Sequence, residues 1–158
     1  TTMNYLDDLI PVLKELSTRF TFDFIVISNQ KPNYDLDNLI YIPWNKDTEI
    51  EDLAKINIGV MPLKNDVWAE GKCGFKGLQY MALQIPTIMS PVGVNKEIVE
   101  SGINGYLAST PEEWKVILED LLQNPTKRIE IGLAGKLTID ERYSVLANRP
   151  KYLALFRK

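Results

Sequence analysis

Residues 70–82 hold the side chains best placed for chemistry: Glu-Gly-Lys-Cys-Gly-Phe-Lys-Gly-Leu-Gln-Tyr-Met-Ala. Lys72 and Lys76 lie where the sequence predicts the start of a helix, and a helix N-terminus carries roughly half a positive charge. Lysines are unfavourable there unless an anion lies between them. Free amides at such a start, beside Gly71 and Gly74, would form a cradle for phosphate. These residues predict a phosphorylated or nucleotide ligand; the alternative is that both lysines extend into water.

Other candidate ligand contacts lie on the same helix and on neighbouring loops. Gln79 follows Lys76 on one helix face, so its amide could hydrogen-bond a sugar hydroxyl. The turn Ser90-Pro91-Val92-Gly93-Val94 could offer backbone amides to a phosphate or sugar, or could be required only by packing. Trp44 lies in a predicted loop, where it could stack on a base or cover the core. Cys73, with no base nearby, is predicted to be a small loop residue.

Apolar runs alternate along the chain with segments of helical periodicity. Strands are predicted at Phe22–Asn29, Leu39–Ile42, Ile58–Met61, Pro86–Met89 and Gly105–Ala108. Helices are predicted at Asn4–Ser17, Thr48–Ala54, Gly74–Leu83, Lys96–Ser101, Pro111–Gln123, Pro125–Leu137 and Tyr143–Phe156. Short strands that alternate with helices predict an α/β fold, a Rossmann-like doubly wound parallel sheet with C-terminal helices.

Several residues predict how individual helices begin or bend. Pro11 predicts a kink in the first helix, because proline lacks the backbone N–H. Thr48 is the predicted N-cap of the second helix, with Glu51 completing a capping box, and Thr110 caps the helix that starts at Pro111.

Residues 62–73 are predicted to be a loop. Ligands of open α/β sheets bind at the carboxyl ends of the strands, where this loop and the 43–47 and 90–94 loops should converge.

The composition excludes several classes of function. The chain has 158 residues, enough for one domain, and contains no histidine and one cysteine. Ser-His-Asp and Cys-His sites and histidine metal sites are therefore excluded, and no metal or other cofactor is expected. A net charge of −3 argues against nucleic acid as a partner. No apolar run reaches the roughly 20 residues that span a bilayer. Neither a P-loop nor Gly-x-Gly-x-x-Gly occurs, which argues against ATP hydrolysis and ordinary NAD binding.

A series of short motifs, in this order and spacing, covers nearly the whole chain. It consists of Ile58–Pro62, Gly74-Phe75, Leu78–Ala82, Ile85–Ile88, Ser90–Gly93, Glu97–Val99 and Gly102–Leu107. The series resembles the C-terminal, donor-binding domain of GT-B fold glycosyltransferases, in the retaining, GT4-like group 1 family. The resemblance implies a glycosyltransferase that takes a sugar from a nucleoside diphosphate donor, with one half of the GT-B fold present in residues 1–158.

The residue pattern described above, together with the resemblance, predicts which residues would bind the donor. They are Gly71, Lys72, Cys73, Gly74, Phe75, Lys76, Gln79, Pro91, Val92 and Gly93, with Trp44 as a candidate base contact. The family usually carries glutamates that contact the donor sugar and the ribose; these positions fall on Gly71 and Gln79. Gln79 can still hydrogen-bond ribose hydroxyls. Because both glutamates are replaced, a non-catalytic nucleotide- or sugar-binding module of the same fold stays open as an alternative. A nucleotide-sugar epimerase shares the fold but usually needs a histidine.

The resemblance carries expectations about the rest of the protein. Domains of this kind normally begin with a strand, whereas this chain opens on a helix. We therefore expect that the first strand and an N-terminal acceptor-binding domain are missing from it. The expected partners are the nucleotide sugar and that N-terminal domain, and the isolated domain is expected to have negligible transferase activity. The expected location is the cytoplasm, or the inner face of the membrane through peripheral contact of the missing half.

Overall fold

The computed structural model describes residues 3–156, in which strands and helices alternate. Strands β1–β5 span Phe24–Ser28, Leu39–Pro43, Gly59–Met61, Thr87–Met89 and Tyr106–Leu107. Helices α1–α8 span Ile10–Ser17, Glu49–Leu53, Val67–Glu70, Phe75–Ala82, Asn95–Ile98, Pro111–Gln123, Pro125–Thr138 and Val145–Ala154. A 3₁₀ turn at Met3–Tyr5 precedes α1, and a π-helical turn at Ile139–Tyr143 joins α7 to α8. Within the described residues, no helix is long and apolar enough to cross a bilayer.

All strand pairs are parallel, and the strands form two separate sheets. β1 pairs with β2, Phe24 opposite Leu39, while β3, β4 and β5 form a three-stranded sheet with β4 in the centre. Successive strand residues point to opposite faces. Ile88 accordingly belongs to a core cluster under α1 and α6, and Met89 to a second cluster under α4 and α5. Because helices cover both faces, the predicted Rossmann-like α/β fold is confirmed.

Three local predictions differ from the structure. α1 begins at Ile10 rather than Asn4, so Pro11 lies in the first turn, where its missing N–H removes no helical hydrogen bond. The predicted 62–73 loop contains α3, whose N-cap Asp66 accepts a 2.7 Å hydrogen bond from the Ala69 amide. Thr48 is the N-cap residue of α2 as predicted, but its hydroxyl donates to Asp52 at 2.8 Å instead of accepting from a backbone amide, so the predicted capping box does not form. The α3 helix was missed because the side-chain hydrogen bond of Asp66, rather than an apolar pattern, marks its start.

The N-terminus of α6 matches its prediction. The Glu113 amide donates to the Thr110 hydroxyl at 3.2 Å, and the Glu113 carboxylate accepts from the Thr110 amide at 3.1 Å. Replacing an N-cap threonine with alanine typically costs about 1 kcal/mol, so we expect Thr110→Ala to lower the free energy of unfolding by that amount. Urea denaturation measures it. Thr110→Ser keeps the hydroxyl and should retain most of the stability; an equal loss in both variants would contradict the capping role.

Candidate functional site

The loops that follow β3 and β4 lie against each other at the carboxyl edge of the three-stranded sheet. The Leu63 amide donates to the Ser90 hydroxyl at 2.9 Å. Gly93 has a φ of +54°, and a Cβ on it would lie 2.6 Å from the Glu70 carbonyl oxygen. Only glycine therefore fits where these two loops touch. The structure thus brings the 62–73 and 90–94 segments together.

Packing explains much of the Pro91-Val92-Gly93 turn. Val92 is buried in a small cluster with Tyr5 and Ala69. The Val92 amide donates to the Ser90 carbonyl at 2.8 Å, so it is not free for a ligand. The burial of Val92 shows that the turn has a packing role, whereas binding of a phosphate or sugar there stays a prediction.

The start of α4 presents a run of unpaired backbone amides. Gly74, with a φ of +68°, is the N-cap residue, and a Cβ on it would lie 2.5 Å from Ile98 Cδ1. Among the described residues, the amides of 73–77 donate to no backbone or side-chain acceptor. Cys73 and Phe75, which flank Gly74, are exposed. This edge of the sheet therefore offers the positive end of a helix and several free donors, which together favour an anion.

Gly71 differs from Gly74 and Gly93, because neither conformation nor packing requires it. Its φ is −78°, which any residue can adopt. The nearest atom to a Cβ there is the Trp68 carbonyl oxygen, at 3.7 Å. A methyl group would therefore fit, and the fold alone does not account for a glycine at this position.

The two predicted lysines have different surroundings. Lys76 Nζ donates to Glu49 Oε1 at 3.1 Å and so is already paired with a carboxylate. Lys72 Nζ lies 4.2 Å from the centre of the Tyr5 ring, a cation–π contact. Within residues 3–156 it has no ion pair, and burial lowers the pKa of Lys72 below the usual lysine value. Of the two predicted lysines, Lys72 is thus the one that makes no ion pair in the described residues, and the nearby charge of Asp66 offsets only part of the lowering of its pKa.

Glu49 contacts both Trp44 and Lys76, and it was not among the site residues predicted from the sequence. It lies in the first turn of α2 and accepts hydrogen bonds from Trp44 Nε1 and Lys76 Nζ, each at 3.1 Å. The hydrogen bond from Trp44, which has the larger effect, and the one from Lys76 hold the pKa of Glu49 below its usual range. In the sequence, what could have indicated Glu49 is its position in the first turn of a predicted helix, directly after the loop at the carboxyl end of β2. Trp44, 41% exposed, is held by Glu49 and keeps part of its ring in solvent.

Two carbonyl oxygens of side-chain amides near α4 lack a partner in the described part of the chain. They are Gln79 Oε1 and Asn95 Oδ1. Asn95 is 1% exposed, and its Nδ2 donates to the Ser90 carbonyl at 2.9 Å, which fixes which end of the amide is the acceptor. Buried acceptors are usually hydrogen-bonded. Both oxygens can accept from a hydroxyl group but not from a phosphate oxygen.

The fold and this edge define an α/β domain suited to an anionic ligand at the carboxyl ends of parallel strands. Residues 3–124 match the family described as Glycosyl transferases group 1. The match spans most of the chain, and the chain therefore belongs to the group 1 glycosyltransferase family. No curated protein sequence matches the chain significantly.

Similar solved structures show the same fold. The C-terminal domain of the group 1 glycosyl transferase LpcC from Francisella tularensis is 22% identical (TM-score 0.57), over 68% of this chain and 55% of that one. Anabaena HepE, in complex with UDP and glucose, is 15% identical (TM-score 0.74), over 96% and 45%. Sucrose-phosphate synthase from Thermosynechococcus elongatus is 12% identical (TM-score 0.73), over 99% and 43%. The chain thus spans about half the length of each of these structures.

Proposed function

We propose that this chain is the nucleotide-sugar-binding domain of a retaining glycosyltransferase, which takes a sugar from a nucleoside diphosphate donor. The observation that carries the proposal is the run of unpaired amides at residues 73–77, beside the cation of Lys72. A diphosphate would satisfy these donors and match the charge of Lys72. Membership of the group 1 glycosyltransferase family and the likeness to HepE, which binds UDP and glucose, support this ligand class.

The contribution of this domain to catalysis would be electrostatic. When the sugar leaves, negative charge develops on the diphosphate, and donors already aimed at that position stabilise it without reorganising. The amides at the start of α4 and the Lys72 ammonium are such donors. Gly71 would let the ligand approach the backbone closely, which accounts for a glycine that the fold does not require. A partner domain would hold the acceptor across a cleft.

The remaining predicted contacts take roles in the same proposal. Glu49 fixes the ammonium of Lys76 and the indole of Trp44, so both are held in place before a ligand arrives. Trp44 would stack on the base. Gln79, which follows Lys76 on one face of α4, would hydrogen-bond a ribose hydroxyl through its side-chain amide. Cys73 and Phe75 would contribute backbone amides rather than side chains.

Titration with a nucleoside diphosphate tests the proposal, with amide chemical shifts as the measurement. We expect the largest changes at Gly71, Lys72, Gly74, Phe75 and Gly93. Gly102 and Asn104, which precede β5 at the opposite edge of the sheet, should not change. The matching nucleoside without phosphates should leave the start of α4 unaffected. Changes confined to Gly102 and Asn104 would place the ligand at the wrong edge and refute the proposed donor site.

A specific observation favours a second candidate, a non-catalytic nucleotide- or sugar-binding module. The positions at which the family usually carries glutamates hold Gly71 and Gln79, which are neutral. Such a module would bind the nucleoside diphosphate at the same edge, so titration does not separate the two candidates. Hydrolysis or transfer of the donor sugar by the complete protein does, because a binding module would leave the donor intact at saturation.

A further inference from the structure

Glu49 links the carboxyl end of β2 to the start of α4. Its Oε1 accepts a hydrogen bond at 3.1 Å from the indole of Trp44, which directly follows β2. The same oxygen accepts a second bond, also at 3.1 Å, from the ammonium of Lys76 in the first turn of α4. Because one oxygen contacts both groups, the Glu49 carboxylate lies between the candidate base contact and the run of free amides.

The two oxygens of this carboxylate have different surroundings. Oε1 makes both hydrogen bonds, whereas among residues 3–156 no hydrogen bond reaches Oε2. The Glu49 side chain is 20% exposed, so part of it is open to a ligand. An ionised carboxylate has about four acceptor sites. The lowered pKa of Glu49 keeps the group ionised at neutral pH, and it therefore has the capacity to accept from further donors.

The neighbours of Glu49 indicate which part of a ligand would supply those donors. A carboxylate accepts from hydroxyl groups but repels the charge of a phosphate. In a nucleoside diphosphate the ribose joins the base to the phosphates, and its hydroxyls are hydrogen-bond donors. The order of base, ribose and diphosphate along such a ligand is also the order of Trp44, Glu49 and the start of α4 on the protein.

We propose that Glu49 Oε2 accepts hydrogen bonds from the ribose hydroxyls, and that Glu49 thereby makes the site specific for ribonucleotides. This assignment rests on the proposed function, because it takes a nucleoside diphosphate as the ligand. A carboxylate that accepts from ribose hydroxyls also occurs in dinucleotide-binding α/β domains, so the interaction is chemically well suited to this role.

With Glu49 in this role, a neutral side chain at position 79 has a physical reason. The side-chain amide of Gln79 lies close enough to Glu49 to contribute to the lowering of its pKa. A glutamate at that position would place a second negative charge beside Glu49, and like charges at such a distance repel. The neutral Gln79 is therefore compatible with a working ribose contact, since α2 supplies the carboxylate.

A ratio of two dissociation constants tests the assignment: that of the 2′,3′-dideoxy form over that of the ribose form of one nucleoside diphosphate. UDP, GDP and ADP are titrated into the chain by calorimetry, and the tightest of the three is compared with its dideoxy form. We expect a ratio of about 10 to 100 for the parent, the range for a hydrogen bond to a charged group. Glu49→Gln should lower this ratio about fivefold or more, because a neutral amide hydrogen-bonds a hydroxyl more weakly than a carboxylate does.

The ratio isolates the ribose contact from the other effects of the substitution. Glu49→Gln also leaves the Lys76 ammonium unmatched, but this changes the phosphate affinity of both forms alike and cancels. Glu51→Gln is the matched control, since Glu51 lies in the same turn of α2, is exposed and makes no side-chain hydrogen bond among the described residues. It should keep the ratio of the parent.

The outcomes separate the assignment from the proposed function. Equal weakening of both forms by Glu49→Gln would show that Glu49 acts only by holding Trp44 and Lys76, and would overturn the ribose assignment alone. A parent ratio near one overturns the assignment without any variant. If none of the three diphosphates binds the parent chain, the proposed function fails, and the assignment fails with it.

Discussion

Gly132→Ala is expected to lower the free energy of unfolding by about 2–3 kcal/mol, because it forces an extra methyl group into a filled contact. Gly132 is a buried residue of α7, which packs on α4. A Cβ on Gly132 would overlap the Gln84 carbonyl oxygen and lie 2.8 Å from its carbonyl carbon. These are backbone atoms in the turn that ends α4, so no side-chain rotation can relieve the clash. The helix propensity of alanine, up to about 1 kcal/mol better than glycine, offsets only part of the cost.

Urea denaturation of the variant measures this loss, and Gly71→Ala is the matched control. At Gly71 the added Cβ meets only the Trp68 carbonyl oxygen, at 3.7 Å, and the φ of −78° suits alanine. We expect the control to lie within about 0.5 kcal/mol of the parent chain. If Gly132→Ala were as stable as Gly71→Ala, α7 would not approach α4 as closely as the structure shows.

The bounds of the helices and strands show how much of the fold can be predicted from the sequence. The bounds of α6 were predicted correctly, since Thr110, Pro111 and Glu113 mark its start by local hydrogen bonds. The strands were predicted within a few residues because each is a short apolar run. The break between β1 and β3 was not predicted, because strand pairing joins residues far apart in the sequence. Local patterns specify which elements form, whereas the neighbours of each strand depend on the assembled sheet.

The candidate site was predictable to a similar extent. Topology alone placed the Pro62–Cys73 and Ser90–Val94 segments at one edge, and the structure brings them into contact. The sequence could not distinguish the lysines, because the partner of Lys76 is Glu49, 27 residues away. It also could not show that Gly74 and Gly93 are required by positive φ and close packing while Gly71 is not. Such distinctions arise from contacts between separate elements.

Lys72→Ala is expected to weaken the binding of a nucleoside diphosphate by about 10- to 100-fold. A hydrogen bond to a charged group contributes about 1.5–3 kcal/mol, and Lys72 has no ion pair among residues 3–156 that would already neutralise it. Isothermal titration calorimetry measures the loss. The matching nucleoside should bind both proteins equally, because it brings no phosphate to the lysine. An unfolding curve separates this effect from the loss of the Tyr5 contact, worth about 0.5–1 kcal/mol at exposed sites.

Lys76→Ala is the matched comparison at the same helix start, and it should weaken diphosphate binding only a few-fold. Its ammonium already donates to Glu49 at 3.1 Å, so the pair presents little net charge to a ligand. The variant would also free Glu49, whose carboxylate repels phosphate, and Glu49→Gln in the Lys76→Ala background should therefore restore part of the affinity. A larger loss for Lys76→Ala than for Lys72→Ala would show that the ligand breaks the Lys76–Glu49 pair, and would make Lys76 the principal phosphate contact.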